Sequence, residues 1–517
     1  MRKICLSIVL IFGGILIIFG ILAITLVPLK IEREVYQQTF LGYDENGTFN
    51  HMTEKWAVPP YSMDLKVWVL NITNSDDILK GERPHFREQG PYTFIESQRK
   101  VPVKFMRNGT EVLYRNKRTY IFNSTQSCEN CTLSDVVTIP NVIFQKLVDI
   151  ALNGGFFVKE AIEMVLAEEK RETPFIPVSV GELLFQGYED PLIEAVCSKD
   201  IIKALCIMAQ IPRRIGFFYG QNDTDDGEYL VDTGVRGAQN ISKVIAWNGM
   251  REMPAEWWTT KEARMINGTD AQLFSPGLSR SEDQYIFSGP IGRSTYLRYK
   301  QNVNIMGVPA YRYVSPPEAT DPTRPENKGF CNPRTPHFFS NETQPEGCLP
   351  AGFMDLSPIL PGHARIYVSQ PHFLHSPPII YQNFSGFPLP STANDETYID
   401  IEPTTGVVVN ARRMTQINVG MIAGNLRALQ NMKDIIMPVL WLKESILFDE
   451  STARELRERV VSIMHLSFII GVATLTIGLL FWTAFLLTSI LYSYVLQRNE
   501  DEQQLIVQED SEGDADE

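Results

Sequence analysis

Basic charge is what this 517-residue chain is short of: 47 Lys and Arg stand against 61 Asp and Glu, a net −14. A protein that grips nucleic acid neutralises phosphates with a basic patch, so no nucleic-acid partner is expected. Gly and Pro, at 34 and 32, are too few for a fibrous repeat, and 44% hydrophobic residues are too many for a disordered chain. Catalytic constellations are missing as well. The sequence has no Gly-x-Ser-x-Gly, His-Glu-x-x-His or Walker loop. Asp232-Thr233-Gly234 matches the aspartic-protease triplet, yet no second Asp-Thr/Ser-Gly supplies the carboxylate that shares its proton. Residues 222–227 resemble a calcium loop without the register of oxygen ligands or the Glu at its twelfth position, which leaves a glycosylated turn. His372 and His375 sit on a Pro-flanked segment without an evident third ligand. No metal, cofactor or enzymatic activity is expected.

Charge is also absent, locally, from two long runs. Residues 4–27 contain none, and as a helix would be ~36 Å long, enough to cross a ~30 Å hydrocarbon core. A cleaved signal peptide has a shorter apolar core and a small-x-small site, whereas this run ends Leu26-Val27-Pro28-Leu29-Lys30. Residues 466–496 are likewise free of charge and carry Trp482, Tyr492 and Tyr494 of the interfacial type. The reading is a short N-terminus (1–3), a span at 4–27, an ectodomain at 28–463, a second span at 464–496 and a tail at 497–517. That tail holds nine acidic groups against Arg498, so −8 of the net charge belongs to it.

Lys and Arg counts flanking the spans do not orient the chain, but the sequons do. Asn-x-Ser/Thr begins at Asn46, Asn71, Asn108, Asn123, Asn130, Asn222, Asn240, Asn267, Asn341 and Asn383, all between the spans. A lumenal or extracellular middle with both termini cytoplasmic follows. Six of the seven cysteines lie there too, an even number suited to an oxidising space. Cys331–Cys348 closes a Pro/Asn-rich loop. Cys197 and Cys206 pair only if Ser198-Lys199-Asp200 breaks the helix between them, because nine helical residues would place them ~13 Å apart. Cys128 and Cys131 have redox spacing, but the sequon at Asn130 favours a structural pair. Cys5, at the cytoplasmic membrane edge, is a candidate for S-acylation.

Short β-type runs punctuated by Gly, Pro and Asn dominate the middle, among them residues 66–70, 91–95, 365–368 and 406–409. From about 141 to 211 the pattern turns helical. Phe157, Ala161, Ile162, Val165 and Leu166 form one face, with Glu160, Glu163, Glu168 and Glu169 on the other. Residues 450–461 form a charged helix candidate before the second span. The fold class expected is an α+β membrane protein: a large antiparallel, barrel-like ectodomain with an inserted helical apex between two spans.

Longer phrases go further. Phe86-Arg87-Glu88-Gln89-Gly90-Pro91-Tyr92, Gly181-Glu182-Leu183-Leu184, Gly187-Tyr188-Glu189-Asp190-Pro191 and Gly216-Phe217-Phe218-Tyr219 resemble the class B scavenger receptor family. So do Asn240-Ile241-Ser242-Lys243-Val244, Gly307-Val308-Pro309-Ala310-Tyr311-Arg312-Tyr313, Pro371-His372-Phe373, Ile401-Glu402-Pro403-Thr404-Thr405-Gly406 and Leu440-Trp441-Leu442-Lys443-Glu444-Ser445, in order along the chain. The resemblance implies a twisted barrel with a helical apex and an apolar tunnel leading lipid toward the bilayer. Its expected partners are lipids, fatty acids or lipoprotein particles, and the membrane itself. Cys331–Cys348 fits a family bridge, while a second bridge is missing because Gly292 stands where a cysteine is usual. Lys170-Arg171 match a basic pair before the family's Glu-Leu-Leu segment and are candidates for anionic ligands, with pairing to Glu168, Glu169 or Glu172 as the rival reading. Asp501, Leu505 and Ile506 have the spacing of an acidic dileucine signal for clathrin adaptors, as in the family's lysosomal member. Plasma and endolysosomal membranes both stay open. A two-span ligand-gated channel would need a pore-lining second span, and an ecto-nucleotidase would need phosphate-cradling Gly-rich loops. Neither feature is found.

Overall fold

The computed structural model describes residues 2–513 except 62, 169–173, 198–202, 205, 208–209 and 425, and only the backbone of 2–6, 167–168, 196 and 504–513. The chain divides into two compact units, Met1–Val35 with Arg454–Glu517, and Tyr36–Ala453.

The first unit is built on the helices Arg2–Gln38 and Ser462–Gly513. Both contain windows long and apolar enough to cross a membrane, with mean hydropathies of 2.9 and 2.1. They meet along glycines seven residues apart. A Cβ on Gly20 would lie 2.7 Å from the Gly471 carbonyl oxygen, and one on Gly478 2.8 Å from that of Gly13. Lipid gives apolar helices no reason to associate, so close backbone approach is what drives their packing. Trp482 donates its indole N–H to the Leu10 carbonyl at 3.1 Å, and Phe12 meets Phe481 edge to face.

The second unit is dominated by one sheet. Its first strands are β1 (Met63–Ile72), β2 (Phe86–Lys100), β3 (Lys104–Met106) and β4 (Glu111–Phe122). A separate antiparallel pair, β5 (Val136–Pro140) and β6 (Phe175–Ser179), brackets the first inserted helices. Then come β7 (Thr224–Asp232), β8 (Val244–Trp247), β9 (Gln284–Ser288), β10 (Arg293–Ile305) and β11 (Val308–Val314). The last are β12 (Phe353–Asp355), β13 (Ile366–Ser369), β14 (Tyr398–Ile401), β15 (Val408–Met421) and β16 (Ile435–Leu447). The main sheet runs β8-β7-β4-β2-β1-β16-β15-β14-β11-β10-β9, and every ladder in it is antiparallel.

Its two edges are joined. Thr269 bridges Lys243 beside β8 on one side and Ile286 of β9 on the other. Val244 donates to the Gly268 carbonyl, and Phe287 to that of Thr269. The sheet is thereby nearly barrel-shaped, which removes the unpaired edges that invite aggregation. Gly268 makes closure feasible: its φ is +90°, and a Cβ there would overlap the Tyr285 carbonyl.

The inserted helices are Val142–Asn153, capped by Asn141 accepting from Phe144 N–H at 2.9 Å, and Gly155–Glu168. The first buries Ile143, Phe144, Leu147 and Val148. The second buries Ile162, Val165 and Leu166 as its periodicity predicts, but Phe157 is 85% exposed. Phe156 and Phe157 occupy the first turn after a break at Gly155 (φ +75°), ahead of the buried stripe. The structure joins Cys331 to Cys348, Cys197 to Cys206 and Cys128 to Cys131, with Cα atoms 4.4, 5.9 and 5.2 Å apart. With their Cα atoms 5.9 Å apart, Cys197 and Cys206 do not have the ~13 Å separation of a continuous helix.

Candidate functional site

Three of the phrases that carry the resemblance converge on the outer face of the sheet. Trp68 of β1 and Trp441 of β16 are directly opposite and stack, with centroids 3.9 Å apart and planes 7° from parallel. The Trp441 indole donates to Glu88 of β2 at 3.0 Å. The same carboxylate holds His372 Nε2 at 3.1 Å, and Asp395 holds Nδ1 at 3.0 Å. Burial opposes charge on His372, but its hydrogen bonds to Asp395 and Glu88 outweigh it and raise the pKa to about 9. An imidazole protonated at neutral pH between two carboxylates clamps the segment after β13 onto β2, beside Trp441 of β16. Other phrases close turns: Glu402 accepts from the N–H groups of Thr404 and Thr405 and from the Thr405 hydroxyl. Thr233 of the aspartic-protease triplet ties its hydroxyl to the Gly109 carbonyl. Among the described residues no cluster of three His, Cys, Asp or Glu side chains is placed to hold a metal.

The inner face changes character along the strands. Tyr92, Val67 and Leu442 stand opposite one another across β2, β1 and β16. The next row is Phe94, Leu65, Glu444 and Arg413, and the one beyond it Tyr120, Glu96 and Met63. Arg118 opposite Gln98 and Asn116 opposite Lys100 complete a polar belt. Arg118 lies 3.7 Å from Glu96 and 3.8 Å from Asp226, while Arg413 pairs with Glu444. Glu96 is 1% exposed, and neither of its carboxylate oxygens has a hydrogen bond. Burial first, then the nearby Glu444 carboxylate, pushes its pKa up to about 7. Lys100 donates to the Trp56 carbonyl at 3.0 Å and to the Gln272 side chain, with its ammonium over the Trp56 and Tyr114 rings. Burial pulls it down to about 8, against the carboxylates of Asp270 and Asp226. The inner face therefore changes from apolar to charged partway along the strands.

Apolar surface is exposed on the inserted helical segment. Besides Phe157, Phe156 is 70% exposed, the two rings pack edge to face, and Leu152, Met164 and Ile207 also face solvent. Lys170 and Arg171 lie outside the described residues. So do the side chains of Cys5, Leu505 and Ile506, whose backbones continue the terminal helices; Asp501 is exposed. None of the ten sequon asparagines is buried. The belt escaped notice in the sequence, although same-parity polar residues on β2 and β4 were its signal.

A family model described as the CD36 family matches residues 11–489. Lysosome membrane protein 2 of Rattus norvegicus is 31% identical over 480 residues, covering 91% of this chain and 94% of the relative. The Homo sapiens protein of that name is 29% identical over 473 residues, 90% of this chain and 93% of the relative. Scavenger receptor class B member 1 of Rattus norvegicus is 27% identical over 436 residues, 82% of this chain and 78% of the relative.

Proposed function

Because the chain belongs to the CD36 family, we propose that it is a two-span membrane receptor whose glycosylated ectodomain takes lipid or lipoprotein ligands at the apex. Lipid then passes to the bilayer through the barrel interior. The observation that carries this reading is the apolar cap of Phe156, Phe157, Met164 and Ile207, which pays a solvation penalty unless something apolar covers it. Both termini are cytoplasmic in this reading, and Lys170 and Arg171 add attraction for anionic headgroups. In cells expressing equal surface amounts, Phe156→Ser with Phe157→Ser should lower binding of lipoprotein particles severalfold; unchanged binding refutes the apical site.

A second reading concerns where the receptor resides. Asp501, Leu505 and Ile506 form a sorting signal that clathrin adaptors read, and the similarity to lysosome membrane protein 2 favours endolysosomal membranes. Leu505→Ala with Ile506→Ala should raise the surface fraction and slow internalisation, and an unaltered distribution dismisses the signal.

A further inference from the structure

Beside β9 and β10 lies a cavity of about 390 Å³ that the receptor reading leaves unused. Tyr285 and Tyr296 stand directly opposite across the ladder, ring centroids 5.9 Å apart, and both line it. At its floor is Arg293, only 4% exposed. The guanidinium sits 3.6 Å from the Phe330 ring centroid and donates weakly to the Ala319 carbonyl at 3.5 Å. Its Nε finds no acceptor, and neither does the buried Thr295 hydroxyl have a partner. No charged neighbour contributes to its titration, and burial alone brings it down to about 9. Such groups are costly to bury unless something satisfies them. Glu262, Asp283 and Glu326 outnumber Arg293 and Arg298 on the walls, so the groove disfavours an anion. Paired aromatic faces, unused donors and carboxylate acceptors suit a neutral polyhydroxylated ligand instead.

One such ligand is expected on the rim. Asn267 lines the groove, is exposed, and opens the sequon Asn267-Gly268-Thr269; its backbone N–H is held by Ser294 at 2.8 Å. We propose that the groove seats the chain's own N-glycan at Asn267, the first sugars stacking on Tyr285 and Tyr296 while acetamido and hydroxyl oxygens accept from Arg293 and Thr295. Thr269 is buried in the barrel closure, so the glycan is transferred before the barrel closes. The proposal rests on the lumenal placement of the ectodomain.

Site-by-site glycopeptide mass spectrometry on the full-length protein from cultured cells tests it. Asn267 should be occupied and carry less processed glycans than the exposed loop sites Asn46 and Asn341, and Tyr285→Ala with Tyr296→Ala should raise processing at Asn267 alone. In the wild-type protein, native endoglycosidase should release the Asn267 glycan severalfold more slowly than that at Asn46, a readout independent of the variant's folding. An empty Asn267 beside occupied Asn46, or equal processing and equal release at both, overturns the seat. If all sequons are empty, the lumenal placement fails along with it.

Discussion

Within two residues along β2 the inner face passes from Phe94 to Glu96, and along β16 from Leu442 to Glu444. The two regions obey different rules. Around Val67, Val69, Leu440 and Leu442 the side chains are fully buried hydrocarbon, and stability follows the area removed from water. Around Glu96, Arg118, Asp226 and Glu444 it depends on each charge keeping its partner, because desolvation costs what Coulomb attraction returns. The apolar half is indifferent to pH. The belt is not.

The most disruptive test of this contrast removes the belt's shared cation. Arg118→Ala leaves Glu96 and Asp226 buried without it and should cost about 3–5 kcal/mol, whereas Leu440→Ala in the apolar half should cost about 2–5 kcal/mol. The discriminating feature is rescue: adding Glu96→Gln should recover part of the Arg118→Ala loss and none of the Leu440→Ala loss, measured by thermal unfolding of the detergent-solubilised protein. No rescue breaks the contrast.

A smaller effect concerns pH. Glu96 is raised to about 7 from the usual 4.5, so the folded state holds its proton more tightly and stability falls as pH rises between those values. His372, raised to about 9, contributes fully below its ordinary 6.5 and loses that contribution as pH rises through 9. Lys100, lowered to about 8, has the opposite sign, its penalty relieved only above pH 8. Glu182, held below the usual range by the Ser179 hydroxyl and N–H, contributes stability above about pH 4.5 and loses it as pH falls below that. His375, lowered by burial, has the opposite sign below its ordinary 6.5; with Glu96 and His372 together outweighing it, the ectodomain should melt at a higher temperature at pH 5 than at pH 7.5. Glu96→Gln should shrink that difference, the smallest of these effects; a melting temperature that falls on acidification contradicts the assignment.

Much of this was legible in the residues. Two charge-free runs marked the terminal helices, short β-type runs marked β1, β2, β13 and the start of β15, and ordered phrases such as 86–92 and 440–445 identified the family. Their physical use was not legible: Glu88 lies 284 residues from His372 and 353 from Trp441, and only the fold shows that they form one outer clamp. Closure through Gly268 and Thr269 escaped for the same reason, since a lone sequon carries no sign of a bridge to both β8 and β9. Phe157 misled because helical periodicity says which residues share a face, and says nothing of where the neighbouring helix stops covering it.

The receptor account is tested most directly by where lipid goes. Full-length protein in liposomes is given a photoreactive fatty acid, illuminated, and its labelled peptides are mapped by mass spectrometry. Label on inner-face positions of β2 and β16, such as Tyr92, Phe94 and Leu442, together with the apical helices, is the predicted outcome. Label confined to the two terminal helices, with the barrel interior untouched, contradicts passage through it.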